Sequence, residues 1–209
     1  MKQGLAIEFC IVRARREGAR GDTFRPMNTA LAFVMLTLSF ATAALAQNPP
    51  APTMSSWLRG AYTNNRNYIA RAAEKMPEAL YGMRPGTQTE VRTFGQLIGH
   101  LAAYNYLWCS QAKGGKNPGE GTDFEKLPNK AALVKAVNDA LAYCDGVYDA
   151  LTDASGQELL TITQENGRKT QSLRLGLLVL NYGHNNEHYG NVVSYMRMKD
   201  IVPPSSEPR

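Results

Sequence analysis

The stretch SLRLGLLVLNYGHNNEHYGNVVSYMRMK, residues 172–199, has the apolar periodicity of one long helix. The helix is expected to end at the following VPPSSEP segment, because proline cannot continue a helix. His184 and His188 are four residues apart, so their side chains project from the same face of this helix. They share an apolar stripe with Leu177, Leu180 and Tyr195. The pattern therefore predicts that both histidines face the interior of a helical protein.

Three further segments have helical periodicity. They run from about Met54 to Met76, from Thr93 to the KGGKNPGEG stretch, and from about Pro128 to Leu151. Thr93 and Gln96 fit a capping box at the start of the second helix. No segment shows convincing strand alternation, although LLTITQENGRKTQSL is compatible with a short hairpin around Asn166 and Gly167. Four amphipathic helices of this length predict an all-α four-helix bundle.

The chain has only three histidines, and the third is His100 in the second helix. It lies three residues after Leu97 and four before Tyr104, on the face predicted to point inward. Three histidines that converge from two helices are the kind of site that bundle cores use to bind a metal. Neutral imidazole suits zinc, nickel, iron or copper. The alternative is that each histidine is an ordinary core residue with its hydrogen bonds satisfied.

The residues HNNEH also match H-x-x-E-H, the inverted zinc-protease pattern, in which Glu187 would be the general base. That class requires a further carboxylate ligand well downstream, and only Asp200 and Glu207 follow here. The protease interpretation is therefore rejected. Glu187 stays a candidate base or a partner of the ligands, with a solvated glutamate on the flank of the helix as the alternative.

Three runs of the sequence carry a family resemblance: AAEKMPEALYGMRPGTQTEVRTFGQLIGHLAAYN, AYCD, and NYGHNNEHYGNVVSYMRMKDIVPPSS. Together they resemble the DinB-like (damage-inducible) superfamily, and in particular its exported bacterial branch. The resemblance implies a four-helix bundle with a long crossover between the second and third helices. It also implies a divalent metal, zinc or nickel, held by His100, His184 and His188. Some relatives are thiol-dependent transferases or isomerases, and many have no assigned reaction.

Three protein ligands leave at least one coordination position open, as in catalytic zinc sites. Four side chains within a turn of the histidines are candidates for a substrate pocket: Tyr104, Asn105, Asn181 and Asn185. Each is equally well interpreted as a polar residue that satisfies the bundle interior. The leading hypothesis is a metal-dependent enzyme that acts on a small molecule by hydrolysis or thiol transfer. The alternative is a non-catalytic bundle that binds or scavenges metal, and in either case two copies can pair through helix faces.

An apolar stretch, MNTALAFVMLTLSFATAALAQ, begins at Met27. Its apolar core of about 15 residues is shorter than the roughly 20 needed to span a bilayer, which predicts a secretory signal peptide cleaved after Ala46. An uncleaved anchor is the alternative, and translation from Met1 or from Met27 stays open. The predicted organisation is a basic extension with signal peptide over 1–46, a proline-rich tether over 47–53 and the bundle over 54–209. The mature protein would be periplasmic or secreted, without membrane attachment.

Removal of residues 1–46, the basic extension and signal peptide, also changes the net charge of the protein. Residues 1–46 contain six basic and three acidic side chains, which leaves 17 basic and 15 acidic for the remainder. No stripe of basic residues with interleaved aromatics remains, so the sequence does not favour nucleic-acid binding.

Cys109 and Cys144 form an even pair once Cys10 is removed with the leader. Parallel second and third helices would bring them within roughly 6 Å in height, whereas an antiparallel hairpin would leave on the order of 15 Å. The link from Lys113 to Pro128 is long enough for a parallel crossover. We therefore expect a disulfide that contributes about 4 kcal/mol, with two separate buried thiols as the alternative.

Overall fold

The structure is a computed structural model that describes residues 51–208 except residue 165. The predicted signal peptide, its cleavage site, Cys10 and the start of the tether lie outside the described residues. The helices are α1 (Met54–Lys75), α2 (Phe94–Lys113), α3 (Lys130–Asp149), the single turn α4 (Asp153–Gly156) and α5 (Arg174–Arg197), and the strands are β1 (Leu159–Thr163) and β2 (Lys169–Leu173). None of the helices in this part of the chain is long and apolar enough to cross a membrane.

Side chains and one glycine define the ends of the bundle helices. Thr53 and Thr93 each form a capping box, at the starts of α1 and α2, and Gln96 closes the second as the sequence predicts. Asn129 caps α3 by accepting a hydrogen bond from Ala132 N. Gly114 ends α2 with φ 72°, a left-handed conformation that glycine adopts without strain.

The four long helices form a bundle in which α1 and α2 each pack against both α3 and α5. Helices α2 and α3 are parallel, because Gly95 lies beside Leu133 near their starts and Cys109 is bonded to Cys144 near their ends. The two cysteine Cα atoms are 5.4 Å apart. Helix α5 is antiparallel to α2, since Tyr195 near its end packs against the start of α2. The predicted bundle and its long crossover are confirmed.

The core consists of two apolar clusters. One surrounds Phe94 and Leu101 in the half of the bundle where α2 begins, and the other surrounds the disulfide and the stacked rings of Tyr62 and Tyr148, whose centroids are 3.8 Å apart. Leu177 and Tyr195 belong to these clusters as predicted, but Leu180 is 52 % exposed. The predicted stripe was wrong at Leu180, because the buried face of α5 runs through Leu178, Asn181 and Asn185 instead.

A two-stranded antiparallel hairpin connects α4 to α5 and confirms the hairpin considered from the sequence. Its register pairs Leu159 with Leu173 and Thr163 with Lys169, and Gly167 adopts φ 78° in the turn. The last helix was expected to begin at about Ser172. It begins two residues later, because Ser172 pairs with Leu160 across the hairpin.

Candidate metal centre

Helices α2 and α5 bring all three histidines of the chain together, in what we call the histidine centre (His100, His184 and His188). The spacing on α5 places His188 Nε2 3.1 Å from His184 Nε2. The antiparallel packing of α2 places His100 Nε2 3.2 Å from the same atom. The three ligand atoms all lie within 4.8 Å of one another. The Nε2 atoms of the three rings therefore converge on one point.

This geometry fits a metal ion better than it fits hydrogen bonding among the rings. At a zinc–nitrogen distance of about 2.0–2.1 Å, two ligands of a tetrahedral ion are about 3.3 Å apart, close to the observed separations. His184 Nε2 contacts both other Nε2 atoms, but neutral rings allow at most one of these contacts to be an N–H···N bond. An ion accepts all three lone pairs at once. The donor set of three imidazoles suits zinc or nickel and does not select between them.

Burial keeps the three rings in the neutral form that binds metals. His100 is buried, and His184 and His188 are half-buried. Desolvation lowers the pKa of each ring. For His184 the pKa falls to about 3, because positive charge on His188, His100 and Arg92 adds to the effect of burial. Lone pairs on neutral imidazoles are therefore available near neutral pH.

Glu125 is the functional residue that the sequence analysis missed. Its Oε1 lies 2.9 Å from His100 Nδ1, and since a carboxylate only accepts hydrogen bonds, the proton resides on Nδ1. Nε2 of His100 is then free to bind a metal. Arg92 Nε donates to the same oxygen at 2.9 Å. A carboxylate behind a ligating histidine fixes its tautomer and ring orientation.

Gly99 explains how Glu125 reaches the histidine centre. Glu125 belongs to a 3₁₀ turn of the crossover, Phe124–Lys126, that packs directly on α2. A Cβ at Gly99 would lie 2.3 Å from Phe124 O, so only glycine permits this approach. The one signal in the sequence was a glycine in the middle of α2, next to His100, where glycine is unfavourable by about 1 kcal/mol.

Tyr104, a residue of the predicted pocket, packs on the histidine rings. Its ring stacks on His184 with centroids 4.6 Å apart and an interplanar angle of 24°. It also packs on His100 at 4.4 Å. Tyr104 therefore covers one side of the histidine centre while its own side chain stays partly exposed.

The three asparagines of the predicted pocket lie in the bundle interior. We call Asn105, Asn181 and Asn185 the amide cluster, and all three are fully buried. Asn105 Nδ2 donates to Asn185 Oδ1 at 2.9 Å, and Asn185 Nδ2 donates back to Asn105 Oδ1 at 3.0 Å. Asn181 Nδ2 donates to the same Asn105 oxygen at 3.1 Å, and the Tyr148 hydroxyl donates to Asn181 Oδ1. The structure thus places the three asparagines where their side chains satisfy one another's hydrogen-bonding groups.

Glu187 lies on the exposed flank of α5. Among the described residues it forms no hydrogen bond with the histidines. Its negative charge raises the pKa of His100 and of His188, which partly opposes the effect of burial. Glu187 therefore acts on the pKa values of His100 and His188 through its charge.

The fold and the site define a four-helix bundle with three histidines placed to bind one metal ion. The sequence matches the DinB superfamily model over residues 61–192, and the chain belongs to the DinB superfamily. A comparison with curated protein sequences gives no match.

Several solved structures share the fold. A DinB-like protein from Bacillus subtilis is 18% identical with a TM-score of 0.55, and the match covers 73% of this chain and 99% of that one. A conserved protein from Enterococcus faecalis is 13% identical with a TM-score of 0.55, covering 71% and 98%. The mycothiol-dependent maleylpyruvate isomerase is 14% identical with a TM-score of 0.50, covering 67% and 61%.

Proposed function

We propose that this protein is an exported, metal-dependent enzyme that holds zinc or nickel on His100, His184 and His188 and acts on a small molecule by hydrolysis or thiol transfer. The observation that carries the proposal is the convergence of three Nε2 atoms at separations suited to one ion. When bound, such an ion acts as a Lewis acid and keeps at least one position for a molecule other than the protein.

The residues around the histidine centre have separate roles in this proposal. Glu125 holds the proton of His100 at Nδ1, and Arg92 keeps the carboxylate in place. Tyr104 excludes water from one side of the rings by stacking on them. Glu187, exposed beside the ligands, is the candidate that moves a proton to or from the substrate.

Two observations support the finer parts of the proposal. A protein with the same fold is a mycothiol-dependent isomerase, which supports thiol chemistry as one of the two reaction types. The Cys109–Cys144 disulfide is typical of proteins in an oxidising compartment, which supports export together with the predicted signal peptide.

A non-catalytic metal-binding protein is the second candidate, and the position of the amide cluster favours it. A pocket lined by Asn105 and Asn181 would have given a substrate polar contacts beside the metal. Both side chains are instead fully buried and bonded to other residues of the bundle. If no other surface binds a substrate, the histidine centre serves to hold the ion alone.

The test is metal analysis of the protein purified without a histidine tag, together with the variant His184→Ala. We expect close to one equivalent of zinc or nickel in the parent and its loss in the variant. All three histidines belong to the site, so every imidazole signal in an NMR spectrum reports on it directly. Metal-free protein whose imidazole signals do not respond to added zinc or nickel would contradict both candidate functions.

Turnover separates the two candidates. Esters, amides and low-molecular-weight thiols with an electrophile are offered to the metal-loaded protein. Turnover that requires metal and is absent from His184→Ala supports the enzyme. One equivalent of metal without turnover of any of these classes favours the non-catalytic protein.

A further inference from the structure

A groove opens beside the histidine centre, between the second half of α2 and the tip of the hairpin. Its volume is about 460 Å³, within the range of ligand sites in proteins. We call it the hairpin groove, and it is lined by Tyr104, Leu107, Gln111, Thr163, Gln164 and Asn166.

The hairpin groove and the histidine centre share one face of α2. His100, Tyr104, Leu107 and Gln111 follow one another at intervals of four, three and four residues, which places them in one row. At about 1.5 Å per residue, this row extends roughly 16 Å from His100 to Gln111. Tyr104 belongs to both sites, since its ring stacks on His184 and also lines the groove.

The hairpin that forms one wall of the groove packs on the bundle at its base. Leu160 and Ile162 of β1 pack against the apolar cluster around the disulfide. Arg174, directly after β2, donates to Ala112 O near the end of α2 and forms an ion pair with Glu158 at 2.6 Å. These contacts hold the base of the hairpin against the bundle.

The described residues of the lining carry hydrogen-bonding groups and no charge. Gln111 lines the groove, and its Oε1 is buried without a hydrogen-bond partner within the described residues. Gln164 is anchored, because its Oε1 accepts from Arg168 Nε at 3.0 Å. Asn166 Oδ1 accepts from Arg168 N at 3.0 Å. Arg168 itself does not line the groove.

We propose that the hairpin groove binds the non-reacting part of a substrate whose reacting group is at the histidine centre. The substrate class is an extended, uncharged molecule that carries amide or hydroxyl groups. Amides on the groove wall can exchange hydrogen bonds with such groups, while Leu107 and Tyr104 contact the apolar part of the chain. This inference rests on the proposed function, because it requires a metal at the three histidines.

The test uses the zinc-loaded protein and hydroxamates, whose head group binds zinc whatever the natural reaction is. Acetohydroxamate measures binding of the head alone. A series with tails of increasing length that end in a primary amide measures the groove, and the same tails ending in a carboxylate measure its preference for neutral ligands. Dissociation constants come from calorimetry. The variants are Gln164→Ala and, as matched control, Gln171→Ala, which removes the same side chain from β2 outside the groove.

We expect the best amide-tailed compound to bind about tenfold more tightly than acetohydroxamate, as one or two added hydrogen bonds would give. Gln164→Ala should remove most of this gain without changing the affinity for acetohydroxamate, and Gln171→Ala should keep it. Acetohydroxamate binding with no gain from any tail would overturn the groove while leaving the proposed function intact. Tighter binding of the compounds with carboxylate tails would overturn the proposal that the substrate is uncharged, and would indicate that Arg168 binds the tail. Protein that binds neither zinc nor acetohydroxamate would contradict the proposed function itself.

Discussion

Two polar clusters lie next to each other between α2 and α5 and are built in the same way. Each takes one residue from α2 and a pair spaced by four residues from α5. The amide cluster (Asn105, Asn181 and Asn185) is fully buried, whereas two of the three histidines are only half-buried. Each site thus has three side chains from the same two helices, and they differ in residue type and depth.

The difference shows why one cluster is structural and the other suits a ligand. A side-chain amide both donates and accepts, so the three asparagines form a closed set of hydrogen bonds with Tyr148. A neutral imidazole has one donor and one acceptor, and in the histidine centre His184 Nε2 faces the Nε2 atoms of both other rings. The side-chain oxygens of the amide cluster all have donors, whereas the Nε2 atoms of the histidine centre gain a shared partner when they bind an ion.

The largest expected effect is the stabilisation of the bundle by zinc. Zinc at about 1,000 times its dissociation constant should raise the free energy of unfolding by about 4 kcal/mol, because the converged site exists only in the folded chain. Urea unfolding followed by circular dichroism, with zinc and with chelator, measures this increment. His184→Ala should abolish it, and Ser194→Ala, at an exposed position of the same helix, should keep it. An increment of equal size in His184→Ala would place the metal elsewhere.

The amide cluster should behave in the opposite way. Asn105→Ala removes the partner of both α5 asparagines and leaves buried amides unsatisfied, at a cost of about 3 kcal/mol. The same urea titration measures the loss in the metal-free protein. Asn64→Ala, at an exposed position of α1, should change stability by less than about 0.5 kcal/mol. The zinc increment should survive in Asn105→Ala, and its disappearance would mean that the two clusters act as one site.

The fold could be predicted from the sequence because its determinants are local. Helical periodicity, the capping box at Thr93 and the prolines after α5 fix the bundle helices. The crossover between α2 and α3 was implied by the family resemblance, and the Cys109–Cys144 disulfide agrees with the parallel arrangement that such a bond requires. Helical periodicity is less informative about which residue of a half-buried face is exposed, and the prediction for Leu180 was wrong for that reason.

The histidine centre could be predicted in part. The four-residue spacing on α5 and the inward position of His100 bring the three rings together, as the structure shows. Glu125 could not be found in this way, because it reaches His100 from the crossover, which has no periodicity. The amide cluster and the histidine centre occupy neighbouring turns of the same helices, so spacing alone did not separate interior residues from a pocket.

Gly99 offers the smallest of these effects and the sharpest test of how the crossover acts on the histidine centre. In Gly99→Ala the new methyl group would meet Phe124 O and Phe124 C at 2.3 and 2.6 Å, so the crossover must move and take Glu125 away from His100. Loss of such a carboxylate typically weakens metal binding about 10–100-fold. Competition with a zinc chelator measures the affinity. Gly60→Ala is the matched control, because a Cβ there meets nothing within 4 Å.

A variant that combines Gly99→Ala with Glu125→Ala decides whether Gly99 affects metal binding through Glu125. Glu125→Ala removes the carboxylate without pushing on the crossover, and should weaken zinc binding as much as Gly99→Ala does. If the glycine serves only to make room for the turn that carries Glu125, both changes weaken zinc binding for the same reason. The double variant should then bind zinc no more weakly than either single variant. Losses that multiply would instead show that the methyl group distorts α2 and His100 directly. In that case the absence of a side chain at Gly99 would matter for the helix that holds His100 rather than for the carboxylate of Glu125.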